Sequence, residues 1–183
     1  MRISAESESG IIERAQAGDQ DAFGVLVGRY APMVRRLTRA VLGHAADADD
    51  AAQDAFFSAW QALDRFDRAQ RFGPWLARIA VNAARDLVRR RRVRVTEPLP
   101  LDQADTGPRP DRTAERRMQR ERLGAALAAL PERQRLVVAL FEVEGYAHAE
   151  IARMLELPEG TVRSDLFHAK RRLRAQLGGL RED

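Results

Sequence analysis

Arg78, Asn82, Arg85, Arg89 and Arg92 follow one another at steps of four, three, four and three. On an α-helix those steps place all five on one stripe. A guanidinium stays charged at any physiological pH and can hold a phosphate with two donors. A solvated helix face usually mixes both signs of charge, whereas this stripe carries no acid and Asp86 lies only on its flank. A membrane-surface helix would need a broader exposed apolar face. The pattern points to a surface that holds a polyanion.

A second group lies in HAEIARMLELPEGTVRSDLFHAKRRL, residues 148–173. Ile151 and Leu155 mark a short helix, a turn follows at Leu157 and Pro158, and Val162, Leu166, Ala169 and Leu173 give the next helix its apolar stripe. Two helices joined by a tight turn, the second rich in basic residues, form the helix-turn-helix pattern. The N-terminal residues of such a recognition helix reach base edges, so Thr161, Arg163 and Ser164 are the first candidates. Arg171, Arg172 and Arg174 follow later and suit phosphates, which position rather than specify. Phe167, on the outer face, either touches a thymine methyl or packs on a neighbouring helix. His168 either donates to a phosphate or is plainly exposed.

Other chemistries find no residues here. The chain has no cysteine, which excludes disulfides and thiolate zinc sites. His44, His148 and His168 stand far apart, without metal-ligand spacing. No nucleophile–base constellation and no phosphate-binding glycine loop is present, so neither an enzyme nor a cofactor-dependent protein is expected. MRISAESESG lacks the charged start and apolar run of a signal peptide, and no apolar stretch nears the roughly 20 residues that span a bilayer. A cytoplasmic protein without membrane insertion is expected.

The 183 residues suffice for one ordinary domain or two small ones. Every basic residue except Lys170 is arginine, a bias that suits nucleic acid and that a GC-rich genome would also produce. Residues 1–10 read as disordered. Helical periodicity runs from Ile11 to about Arg92, with helices expected over 21–41 and 47–63 and a third from Pro74. In the third, Trp75, Leu76, Ile79, Ala80, Ala83 and Leu87 share the apolar side. Residues 97–111 hold four prolines, three aspartates and a glutamate, which cannot build a core and read as a linker. Helical patterning returns from about Ala114 to Leu177, including a helix from Pro131 to Gly145. The expected architecture is all-α: a helical domain over 11–94, a linker over 95–115 and a helix-turn-helix domain over 116–178.

Four segments in this order resemble a bacterial RNA polymerase sigma factor of the extracytoplasmic-function (ECF, group IV) type, within the sigma-70 family. They are GDQDAFGVLVGRYAPMVRRLTRAVLG, DADDAAQDAFFSAW, FGPWLARIAVNAARDLVRRRR and LPERQRLVVALFEVEGYAHAEIARMLELPEGTVRSDLFHAKRRLR. The resemblance implies a dissociable polymerase subunit that selects promoters by their −10 and −35 elements and aids strand opening. Its first domain would bind the clamp helices of the largest core subunit and the −10 element, its second the flap region and the −35 element. Asp50, Gln53 and Asp54 match the polar positions that meet core polymerase, although three exposed polar groups on a helix are by themselves ordinary. Residues 63–75 match the segment that captures a flipped −10 base, where Arg65, Phe66, Asp67 and Arg71 supply a platform and polar partners, with Phe66 equally suited to the core. Asn82 matches the position that reads the −10 element, and Arg78, Arg85, Arg89 and Arg90 would hold the strand. Asp165 and His168 depart from the basic residues often found there. Asp165 would either accept from a cytosine amino group or pair with a neighbouring arginine. With no sensor domain visible, the resemblance implies control by an anti-sigma factor.

Two other readings compete. A stand-alone helix-turn-helix regulator would bind duplex DNA specifically without polymerase. A helical interaction protein would show no salt-dependent DNA affinity.

Overall fold

The computed structural model describes residues 7–43, 45–94 and 114–178, which are helical apart from short turns and loops, with no strand among them. Helix α1 spans Glu8–Gln16, α2 Gln20–Leu42, α3 Ala45–Ala62 and α4 Phe72–Arg94; α5 spans Ala114–Ala128, α6 Glu132–Val138, α7 His148–Leu155 and α8 Glu159–Leu177. The proline-rich stretch between α4 and α5 lies outside the described residues.

The stretch expected to be disordered already contains the start of α1. Ser7 accepts a hydrogen bond from the Gly10 amide at 3.3 Å, and Ile11, Ile12 and Ala15 are buried, so a cap and an apolar face order the chain from Glu8. Asp19 then caps α2 by accepting from the Ala22 amide at 3.0 Å. That amide, followed by the Arg14 guanidinium, holds the Asp19 carboxyl below its ordinary pKa. Gly43 stops α2 in the left-handed region at φ 82°.

Helices α2, α3 and α4 pack against one another around Leu26, Val34 and Leu37 of α2 and Leu76 of α4. The face of α3 is made of Ala51, Ala55 and Ala59, and α4 contributes Ala77, Ala80 and Ala84, all essentially inaccessible. Thr38 joins α2 to α3 by donating to the Ala48 carbonyl at 2.9 Å. Asp47, expected only to complement the helix dipole of α3, is buried and bonded by both carboxylate oxygens to the Arg91 guanidinium. Because α4 packs on α2 and α3 together, its buried arc is wider than the stripe expected from periodicity and takes in Ala77, Val81 and Ala84.

In the C-terminal module, α6 runs on into a π-helical turn over Ala139–Val143. The wider turn inserts an extra residue, and Gly145 ends it at φ 73°. Glu156 takes the left-handed conformation at φ 56° and turns the chain from α7 into α8, with Ile151, Leu155, Val162, Leu166 and Ala169 buried. The two modules touch: α6 and the π turn lie on α2, and α7 lies on α4.

Candidate nucleic-acid interface

Helix α8 presents the side expected of a recognition helix. Arg163, Ser164, Phe167, Arg171 and Arg172 are exposed, while Thr161 and His168 are half-buried. Phe167 is 62% exposed and meets only the edge of His168, so it does not pack on a neighbouring helix. Arg163 pairs with Glu159 one turn earlier at 2.5 Å. Among the described residues Arg171 and Arg172 have no carboxylate partner, which leaves their guanidinium groups available.

Asp165 takes the second of its two expected courses. It is 5% exposed and accepts from Arg133 Nε at 2.5 Å and from the same guanidinium at 3.2 Å. The hydrogen bonds and charge of Asp165 push the Arg133 pKa up. The carboxylate ties α8 to α6 and faces no groove. Asp165→Asn is therefore expected to lower stability by about 1–2 kcal/mol, moderated because Arg133 can turn to water. Base preference at the −35 element should not change. Thermal melting and a selection from randomised duplexes check the two halves; altered base preference would return Asp165 to the recognition surface.

On α4, Arg78, Asn82, Arg89 and Arg90 are exposed and Arg85 is half-exposed. The stripe is not free of acids once the chain folds. Arg89 pairs with Asp86 on its own helix, Arg78 with Glu156 at 3.0 Å and Arg85 with Glu132 at 3.0 Å. Arg71 pairs with Glu150 and lies over the Tyr146 ring, its guanidinium carbon 5.5 Å from the centroid. The Ala147 amide, and then the Arg71 charge, hold the Glu150 carboxyl below its ordinary value.

The segment leading into α4 is pinned from α1. Gln16 Nε2 donates to the carbonyls of Leu63 at 2.9 Å and Phe66 at 2.8 Å. Asp67 accepts from the Ala69 amide at 2.9 Å, an Asx-type turn that leaves its side chain exposed. Arg65 projects into solvent. Phe66 does not offer a free ring face. It is 5% exposed and packs with Phe72 and Trp75 at centroid distances of 5.5 and 4.8 Å. The apolar loop position is drawn into the core because Phe72, Trp75 and Tyr30 already form an aromatic cluster there. Trp75 is the aromatic that the sequence reading missed: it lines a cavity of about 400 Å³ with Gln70, Arg71, Arg78, Glu150 and Arg153.

Asp50, Gln53 and Asp54 are exposed along one side of α3. Phe57 continues that side at the next turn and is 63% exposed. The i, i+3, i+4, i+7 spacing of 50, 53, 54 and 57 was the available signal, passed over because Phe56 was assigned to the core.

The family model of Sigma-70 region 2 matches residues 26–94, and that of Sigma-70, region 4 matches residues 120–173. The ECF RNA polymerase sigma factor SigM of Mycobacterium tuberculosis is 39% identical over 176 residues, covering 95% of this chain and 86% of the relative. This chain belongs to the ECF sigma factors. The RNA polymerase sigma-H factor of Pseudomonas aeruginosa is 34% identical, with 92% of each chain covered. Among solved structures, CnrH in complex with the cytosolic domain of CnrY aligns at a TM-score of 0.70 with 29% identity, over 95% of this chain and 99% of that one. The sigma factor RpoE of Bartonella quintana, in complex with the anti-sigma factor NepR, shares the fold at a TM-score of 0.67 and 21% identity, over 85% and 96% of the two chains. Family and fold together favour the sigma factor over a stand-alone regulator. No described helix of this ECF sigma factor is long and apolar enough to cross a membrane.

Proposed function

We propose that the chain joins core RNA polymerase in the cytoplasm, directs it to promoters and helps open them, through a domain over 11–94, a linker over 95–115 and a domain over 116–178. The observation that carries this reading is one chain bearing two separate DNA-facing surfaces: the arginine stripe with Asn82 on α4, and the exposed basic face of α8. Asn82 reads the −10 element, Trp75 and the polar groups of Arg65, Asp67 and Arg71 receive an unstacked base, and Arg78, Arg85, Arg89 and Arg90 hold its backbone. Thr161, Arg163, Ser164 and Phe167 read the −35 element, and His168, Arg171 and Arg172 hold phosphate. Strand opening draws on binding energy, with no covalent step. An anti-sigma factor restrains the protein, a role supported by the complexes in which its structural neighbours were solved.

Run-off transcription with purified core polymerase on genomic fragments tests the reading. A promoter-specific transcript that depends on this protein is expected, and its absence would sink the assignment.

The side of α3 bearing Asp50, Gln53, Asp54 and Phe57 meets core polymerase. Burying a phenyl ring that is exposed in the free chain contributes roughly 1.5–3 kcal/mol. Phe57→Ser is therefore expected to weaken core affinity about tenfold or more, measured by competition against labelled protein, with little change in the melting temperature. Unchanged affinity would remove Phe57 from the interface.

A further inference from the structure

The three arginines assigned above to the −10 strand, Arg71, Arg78 and Arg85, each pair with a glutamate of the other module: Glu150, Glu156 and Glu132. A fourth pair crosses the same seam, Arg36 to Glu144 at 2.6 Å. Arg135 Nε adds a bond to the Ala40 carbonyl at 2.7 Å, and the Tyr146 hydroxyl points to Met33 Sδ at 3.7 Å. The π turn contributes directly, because it carries the chain to Glu144 and Tyr146 on the surface of α2. The seam is tight at Gly73, where a Cβ would collide with the Tyr146 hydroxyl.

We propose that the C-terminal module masks its own partner module: Glu132, Glu150 and Glu156 stand where DNA phosphates would, and the chain must open before the −10 face can hold a strand. The proposal rests on the assignment of Arg71, Arg78 and Arg85 to DNA. Carboxylates and phosphates compete for the same guanidinium donors. The mask is partial, since the exposed face of α8 stays open and Arg90 has no carboxylate partner among the described residues. It is also a light latch. Each exposed ion pair changes an equilibrium by only a factor of roughly 1.5–5, and salt weakens it. The stretch from Arg94 to Ala114 is long enough, at no more than about 70 Å, for the modules to part.

The absence of native cysteines makes the test direct. Gln61→Cys and Gln176→Cys, both at exposed positions, carry a fluorescent donor and acceptor on the full chain. High energy transfer is expected at about 50 mM salt. Transfer should fall at 1 M salt, and also in a quadruple variant with Glu132, Glu144, Glu150 and Glu156 each changed to glutamine. Low transfer in the unaltered protein, or equal transfer in the quadruple variant, overturns closure. Gly73→Ala should open the seam without changing charge; helical content checked by circular dichroism separates opening from misfolding.

The second arm measures binding of a randomised single-stranded 12-nucleotide pool at fixed salt. The quadruple variant should bind about tenfold more tightly than a control of equal charge, with Glu13, Asp21, Asp49 and Glu121 changed to amides. Equal affinity of the two overturns masking while leaving closure intact. An opened chain with no affinity for the pool overturns the assignment of the arginines to DNA, and the masking with it.

Discussion

Asn82→Ala is expected to cut promoter opening by roughly ten- to a hundredfold while core affinity stays within about twofold. A well-placed amide contact to a base discriminates by about 1–3 kcal/mol, which is that range in rate or occupancy. Asn82 is exposed on α4, and its replacement leaves a helix-favouring residue without touching the packed side. The loss should therefore appear in permanganate footprinting of the −10 region and in run-off yield, and be absent from polymerase-binding competition and from the melting curve. The reverse pattern, weakened core binding with normal opening, would place Asn82 in the wrong interface. Asp50→Ala combined with Gln53→Ala should give that reverse pattern.

Phe66 allows an equally sharp separation. As a core residue, Phe66→Ala should destabilise the N-terminal module by about 3–5 kcal/mol, the usual loss for a buried phenyl group. Phe66→Leu should retain most of the stability and nearly all of the transcription. A stacking platform would behave the other way: leucine would fold well and still fail, because an aliphatic side chain offers no ring face to a base. Chemical denaturation and run-off assays on both variants decide the matter, and a stable but inactive Phe66→Leu protein would restore the platform.

The helices were legible because their signals are local. Asp19, Gly43, Pro74 and Gly145 punctuate the chain within a turn of where α2, α4 and the α6 extension begin or end, and the 3.6-residue period did the rest. Packing decided what periodicity left open. Asp165 had two courses in sequence, and the position of Arg133, 32 residues earlier, selected one. Phe66 had two courses as well, and the cluster of Phe72, Trp75 and Tyr30 drew it inward. The acid-free stripe on α4 was a true statement about α4 alone. The glutamates that meet it come from a different module: Glu132 lies 47 residues beyond Arg85, and Glu150 79 residues beyond Arg71. No helical wheel carries information about such partners.

The alanine faces that join α3 to α4 have a mechanical consequence. Methyl groups leave the two helices no long side chains to slide or rock upon, and close-packed interiors transmit displacement rather than absorb it. The helix proposed to grip polymerase and the helix proposed to read DNA therefore behave as one stiff plate. Wherever the enzyme carries Phe57, Asn82 is delivered at a fixed offset, so the promoter is measured against the polymerase by a rule whose graduations do not stretch.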